Sequence, residues 1–146
     1  MKRFRFRLEP LLRLRAHKEE EWRLKLGQAQ AECSRIENQI QMLHRERSAV
    51  FASDAGNDMD YHLSRALYLG RIEDKTRELQ QDLTQAYARK EEVLKTYTEA
   101  RREYEAINKI KEKRVAEYRK EWFREEAKEI DDIANSRIAG GYRGTL

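Results

Sequence analysis

Three histidines and one cysteine are the residues of this chain best suited to metal or nucleophilic chemistry, and their spacing favours neither. His17, His44 and His62 lie far apart in the sequence, and neither an HExxH nor a CxxC motif occurs, so the usual spacings of zinc ligands are absent. The phosphate-cradling motifs GxxxxGK[ST] and GxGxxG are absent too. Cys33 lies among apolar residues at helical spacing, where cysteine acts as a small hydrophobic side chain. The sequence therefore predicts a non-enzymatic protein that holds no metal or cofactor.

The composition favours a few long helices that could hold partners instead. Charged residues make up 40% of the 146 residues, with six glycines and one proline, so few residues are available for turns. An excess of Glu, Lys, Arg, Gln, Ala and Leu is typical of long helices and coiled coils. No stretch of 18 consecutive apolar residues occurs, so we expect no transmembrane segment and a cytoplasmic protein.

The charge pattern points to protein surfaces as partners. The formal net charge is +4, but Lys and Arg alternate with Glu along most of the chain, so phosphate groups would be repelled as well as attracted and no nucleic acid is expected as a partner. Residues 1–15 carry six basic residues and one acid, whereas residues 124–133 carry five acids and two basic residues. Ends of opposite sign suit docking to separate or complementary surfaces.

The chain is organised into an arm, two helices joined by a turn, and a tail. In residues 1–9, Phe4, Phe6 and Leu8 alternate with arginines, which predicts an extended basic and aromatic arm. Apolar residues at alternating steps of three and four predict a helix over 10–51. Ser, Asp, Gly and Asn in 52–60 predict a turn, a longer helix follows over 61–135, and 136–146 are expected to form a flexible tail. The fold class is therefore all-α, an antiparallel coiled-coil hairpin whose second helix is the longer one.

If the turn of the hairpin is centred near Gly56, each residue of the first helix faces one particular residue of the second. Cys33 would then face Leu79, and Leu8 would face Tyr104. The second helix continues well beyond Tyr104, so its distal part would have no partner within the hairpin.

Two large aromatic residues, Trp122 and Phe123, lie in that distal part. Exposed aromatic side chains on one helix usually mark an interface, so we expect a partner to bury this pair. Packing of the pair against Phe4 and Phe6 of the arm is the alternative.

The chain combines the opening Phe4-x-Phe6-x-Leu8-x-x-Leu11-Leu12-x-x-Arg15, two helices of unequal length, a turn at a definite position and the charged segment 124–137. Together these features resemble the FliJ family of flagellar type III export proteins. The resemblance implies a coiled-coil stalk like that of rotary ATPases, seated in the hexameric flagellar export ATPase and promoting its assembly and activity. It also implies contacts with the membrane export gate protein and with export chaperones at the cytoplasmic face of the export apparatus. A stalk from the virulence branch of type III secretion, or a generic coiled-coil scaffold, is the alternative.

The resemblance also suggests which residues bind. The candidates for the ATPase ring lie at the two ends of the chain: Phe4, Phe6, Leu8, Arg15, Tyr118, Trp122 and Phe123. The candidates for the export gate lie between the middle of the helices and the turn: Gln39, Leu43, Val50, Tyr68 and Ile72.

Overall fold

A computed structural model describes residues 2–53, 56 and 58–143 of the chain. It contains two helices, α1 (Glu9–Ala52) and α2 (Met59–Arg143), and no strand within the described residues. The two helices contact each other in antiparallel orientation, and α2 has 85 residues against 44 in α1. The predicted all-α hairpin with a longer second helix is therefore confirmed. Neither helix, over its described residues, contains a stretch long and apolar enough to cross a bilayer.

Local hydrogen bonds define where the helices meet the turn. After the last residue of α1, the Ser53 hydroxyl donates to the Val50 carbonyl at 2.7 Å. Gly56 adopts a φ of 63°, a left-handed conformation that glycine tolerates without strain. The Asp58 carboxylate then accepts the Asp60 N–H at 3.1 Å, so Asp58 caps the first turn of α2. Residues 54, 55 and 57 of the predicted turn lie outside the described residues.

The second helix continues beyond its predicted end. The sequence predicts an end at residue 135, whereas α2 reaches Arg143. Among the described residues only Gly56 has a positive φ, so Gly140 does not adopt the conformation that commonly ends helices. A glycine inside a helix costs only about 1 kcal/mol, which the helix tolerates. The flexibility of residues 136–146 stays a prediction.

The chain divides into two compact units, each built from segments of both helices. The terminal unit comprises Met1–His17 and Arg101–Leu146, and the turn unit comprises Lys18–Ala100. The turn unit has a core of four buried residues with three half-buried neighbours: Cys33, Ile36, Leu79, Ala86, Ile40, Leu43 and Leu83. In the terminal unit, Phe6 and Leu12 are buried. The core residues of the turn unit recur at steps of three and four along each helix, so they form the apolar seam between α1 and α2 in that unit.

The register differs from the predicted one by about one heptad. Glu9 pairs with Lys111, eight residues beyond the position that the predicted register places opposite it. Arg15 pairs with Glu103, which is six residues beyond its predicted position. In the turn unit, Leu79 lines a groove with Leu43, some ten residues from Cys33 along α1. The predicted register is therefore wrong. A seam that repeats every seven residues keeps apolar residues opposite one another when one helix slides by seven, so the pattern fits both registers.

Candidate functional site

The N-terminal arm lies against α2 in the terminal unit. The structure begins α1 at Glu9, so the arm comprises residues 2–8. Phe6 is 9% exposed, and the Phe4 ring lies 5.4 Å from the Tyr118 ring, centroid to centroid. The Tyr118 hydroxyl donates to the Lys2 carbonyl at 2.9 Å. The aromatic contact, the burial of Phe6 and a hydrogen bond to the backbone therefore hold the arm as far along α2 as Tyr118.

Ion pairs strengthen the same contact. The Lys111 ammonium lies 2.9 Å from the Glu9 carboxylate, and Arg15 forms a hydrogen-bonded ion pair with Glu103. Both pairs are partly exposed, so each contributes at most about 1 kcal/mol and acts mainly by favouring one alignment of the helices. The ring-binding candidate Arg15 is therefore already engaged inside the terminal unit.

The outer side of the arm is strongly basic. Its four basic residues, Lys2, Arg3, Arg5 and Arg7, are all exposed. Phe6 is buried and Leu8 is half-buried, so the arm presents cations outward and keeps most of its apolar area inside. Such a surface attracts acidic partners.

From residue 119 to residue 140, α2 is exposed on all sides. We call residues 119–140 the overhang, because every one of them is exposed. Trp122 is 39% and Phe123 63% exposed, and their rings contact each other edge to face at 5.2 Å. The Phe4 ring is paired with Tyr118 instead, so Trp122 and Phe123 remain at the surface and the packing alternative does not apply.

The overhang has an apolar face. Phe123, Ala127, Ile130 and Ala134 recur at steps of four, three and four, so they lie along one side of the helix. Ile130 is 64% exposed. An apolar helical face of this kind, open to water, is suited to pairing with another surface.

The export-gate candidates lie in the turn unit but do not form one surface. Gln39 and Leu43 line a groove of about 250 Å³ together with Met42, Glu46, Lys75 and Leu79. Tyr68 is 43% exposed. Ile72 is buried and faces a different groove, beside Arg47 and Thr76. Val50 is half-buried.

Tyr68 and Glu46 form a polar link between the two helices near the first groove. The Tyr68 hydroxyl donates to the Glu46 carboxylate at 3.2 Å. The negative charge of Glu46 raises the pKa of Tyr68, with smaller contributions from burial and from the hydrogen bond. Tyr68 therefore stays a neutral donor at neutral pH and holds the groove edge in place.

The whole span from arm to overhang matches one family. A family model described as "Flagellar FliJ protein" matches residues 4–142. The chain belongs to the FliJ family. No curated protein and no solved structure gives a significant match. Family membership confirms the resemblance seen in the arm, the turn and the charged segment, and it makes the chain a flagellar export-related protein.

This FliJ-family chain also exposes an apolar stripe that the sequence reasoning missed. Met59, Leu63 and Leu67, at the start of α2, are 78%, 62% and 62% exposed. Their i, i+4, i+8 spacing is visible in the sequence and places them on one side of α2. Within the described part of the chain, no group of three His, Cys, Asp or Glu residues is arranged to hold a metal ion.

Proposed function

We propose that this chain is the stalk of the flagellar export ATPase, with the terminal unit as the docking end. The observation that carries the proposal is the overhang, a helical segment whose residues are all exposed, with Trp122 and Phe123 at its base. Aromatic side chains that leave water on binding are the commonest interface hot spots. A segment of this kind is suited to insertion into a ring that covers it on several sides.

Charge adds to the proposed docking. The exposed arginines of the arm and the acidic residues 125–132 of the overhang present opposite signs in the same unit. A ring lined by residues of both signs would therefore orient the terminal unit as well as attract it. By bridging neighbouring subunits, the docked stalk promotes ring assembly and ATP hydrolysis.

The turn unit is the proposed contact for the export gate and chaperones. The groove lined by Gln39 and Leu43 is mostly apolar and has a charged residue at each side, Glu46 and Lys75. The stripe of Met59, Leu63 and Leu67 is a separate apolar surface close to the turn. We assign the groove to the gate protein and the stripe to export chaperones.

Co-purification with the cognate export ATPase tests the proposal. The full chain should form a complex with the ATPase, shift it towards its hexameric form in sedimentation, and raise its rate of ATP hydrolysis. An ATPase that neither binds the chain nor changes its assembly state contradicts the stalk function.

Separate measurements test the gate assignment. Met42→Asp should weaken binding to the purified cytoplasmic part of the gate protein and leave ATPase binding unchanged, because Met42 lines this groove in the turn unit and is 61% exposed, outside the core. Leu24→Asp is the matched control, since Leu24 is exposed and does not line this groove. Equal effects of both substitutions would refute the assignment of the groove.

A further inference from the structure

The apolar face of the overhang has the pattern of a coiled-coil seam. With Phe123 and Ile130 at d positions and Ala127 and Ala134 at a positions, four consecutive seam positions are apolar. Phe123 and Ile130 are 63% and 64% exposed. No described residue of the chain covers this seam, since every residue of 119–140 is exposed.

The sizes of the seam residues complement one another when two copies run antiparallel. Phe123 then lies opposite Ala134 of the second copy, and Ala127 lies opposite Ile130 of the second copy. Each layer thus combines a large residue with a small one, which fills space at the density of a protein interior. A parallel pair would place Phe123 against Phe123 and Ala127 against Ala127, leaving alternately crowded and empty layers.

The flanking charges also favour the antiparallel arrangement. In a parallel pair, g positions face e positions five residues later, so Arg119 would face Arg124 and Glu126 would face Asp131. Both contacts join like charges. In an antiparallel pair, e positions face e positions, and Arg124 faces Asp131 of the second copy twice per dimer. Arg124 and Asp131 are both exposed and on the e side of the seam.

We propose that the overhangs of two copies of this chain pair antiparallel through Phe123, Ala127, Ile130 and Ala134. The pairing does not rest on the proposed docking to the ATPase, but it covers part of the same face. A second copy and the ring therefore exclude each other at the overhang. The free chain is kept from exposing its apolar face, and docking releases it from the pair.

A charge-swap experiment on the full-length chain tests the pairing without any other component. The mass of the wild-type chain, followed by sedimentation and light scattering over a concentration series, should rise from monomer to dimer. Arg124→Glu and Asp131→Arg should each weaken dimerisation about tenfold, because each converts two attractive contacts into two repulsive ones. An equimolar mixture of the two variants should dimerise as strongly as the wild type, since every contact in the mixed dimer is again attractive.

Matched controls carry the same charge changes on the outer side of the helix. Lys128→Glu and Asp132→Arg lie at b and f positions and should leave the dimer unchanged. All four substituted residues are exposed, so circular dichroism should show equal helicity throughout.

Three results would overturn the proposal. The first is a chain that stays monomeric at every concentration. The second is a tighter dimer for each single variant, which is the outcome of parallel pairing. In that arrangement the new charge at position 124 or 131 would be opposite to that of its neighbour, Arg119 or Glu126. The third is equal weakening by the outer controls, which would indicate a general charge effect.

Discussion

Removing the two aromatic rings at the base of the overhang should separate binding from folding. Fully burying a large apolar side chain contributes about 2–3 kcal/mol. Phe123 is already 63% exposed and Trp122 39% exposed, so their replacement by alanine forfeits only a part of that contribution. We therefore expect the variant Trp122→Ala with Phe123→Ala to lose about 1–2 kcal/mol of folding free energy in total. Most of that loss comes from Trp122.

The effect on binding should be much larger. Aromatic hot spots cost about 2 kcal/mol or more each on truncation, which corresponds to a loss of affinity of at least about thirtyfold for one residue. The two rings contact each other, so their effects need not add. The affinity for the cognate export ATPase is measured by isothermal titration calorimetry, alongside thermal melts followed by circular dichroism.

A buried aromatic residue of the same unit supplies the control. Phe6 is 9% exposed, so Phe6→Ala should lower the stability of the terminal unit by about 3 kcal/mol while leaving the overhang intact. If the double variant binds the ATPase as tightly as the wild type, the overhang is not the docking surface. If it melts as early as Phe6→Ala, the two rings belong to the core and the argument from exposure fails.

Three further predictions concern the register, a tyrosine and a glycine. In a background without the native cysteine, Ile36→Cys with Leu83→Cys should form a disulfide within one chain, because both side chains pack in one core; non-reducing gels and mass spectrometry detect it. The hydrogen bond from Tyr87 to Glu37 raises the pKa of Tyr87 above its usual 10.0, so Glu37→Gln should lower the pKa seen by phenolate absorbance. The bond stabilises the fold below pH 10 and is lost as the pH rises through the raised pKa, because the phenolate can no longer donate. Gly27→Ala should stabilise the protein by about 0.5–1 kcal/mol, since an added methyl group meets no atom within 4 Å; a thermal melt measures it.

Each of these predictions has a control variant or a refuting outcome. Ala29→Cys with Leu83→Cys tests the register expected from the sequence, so a disulfide there, and none at Ile36, would refute the structural register. A pKa of Tyr87 that does not respond to Glu37→Gln would mean that the phenol is bonded elsewhere. Gly56→Ala should destabilise the protein by about 1 kcal/mol, because its φ is positive. A stabilising Gly56→Ala would show that the turn adopts another conformation.

The sequence by itself determined the elements and the greater length of the second helix. The period of 3.5 residues from Trp22 to Leu43 requires a helix with one apolar seam, and the polar residues around Gly56 require a turn. A second helix longer than the first must extend beyond it, whereas the pairing of Phe4 with Tyr118, which leaves Trp122 and Phe123 uncovered, depends on the register. The family could be recognised for the same reason, because the arm, turn and charged segment are local features of the chain.

Only the tertiary structure decided which residues of the two helices meet. A seam that repeats every seven residues is nearly unchanged by a slide of one heptad, so Leu79 could face Cys33 or pack nearer Leu43 with similar apolar burial. Contacts between residues that do not belong to the heptad seam distinguish the two arrangements. Among them are the ion pair of Glu9 with Lys111 and the ring contact of Phe4 with Tyr118. These contacts join residues about a hundred positions apart, and no local pattern specifies them.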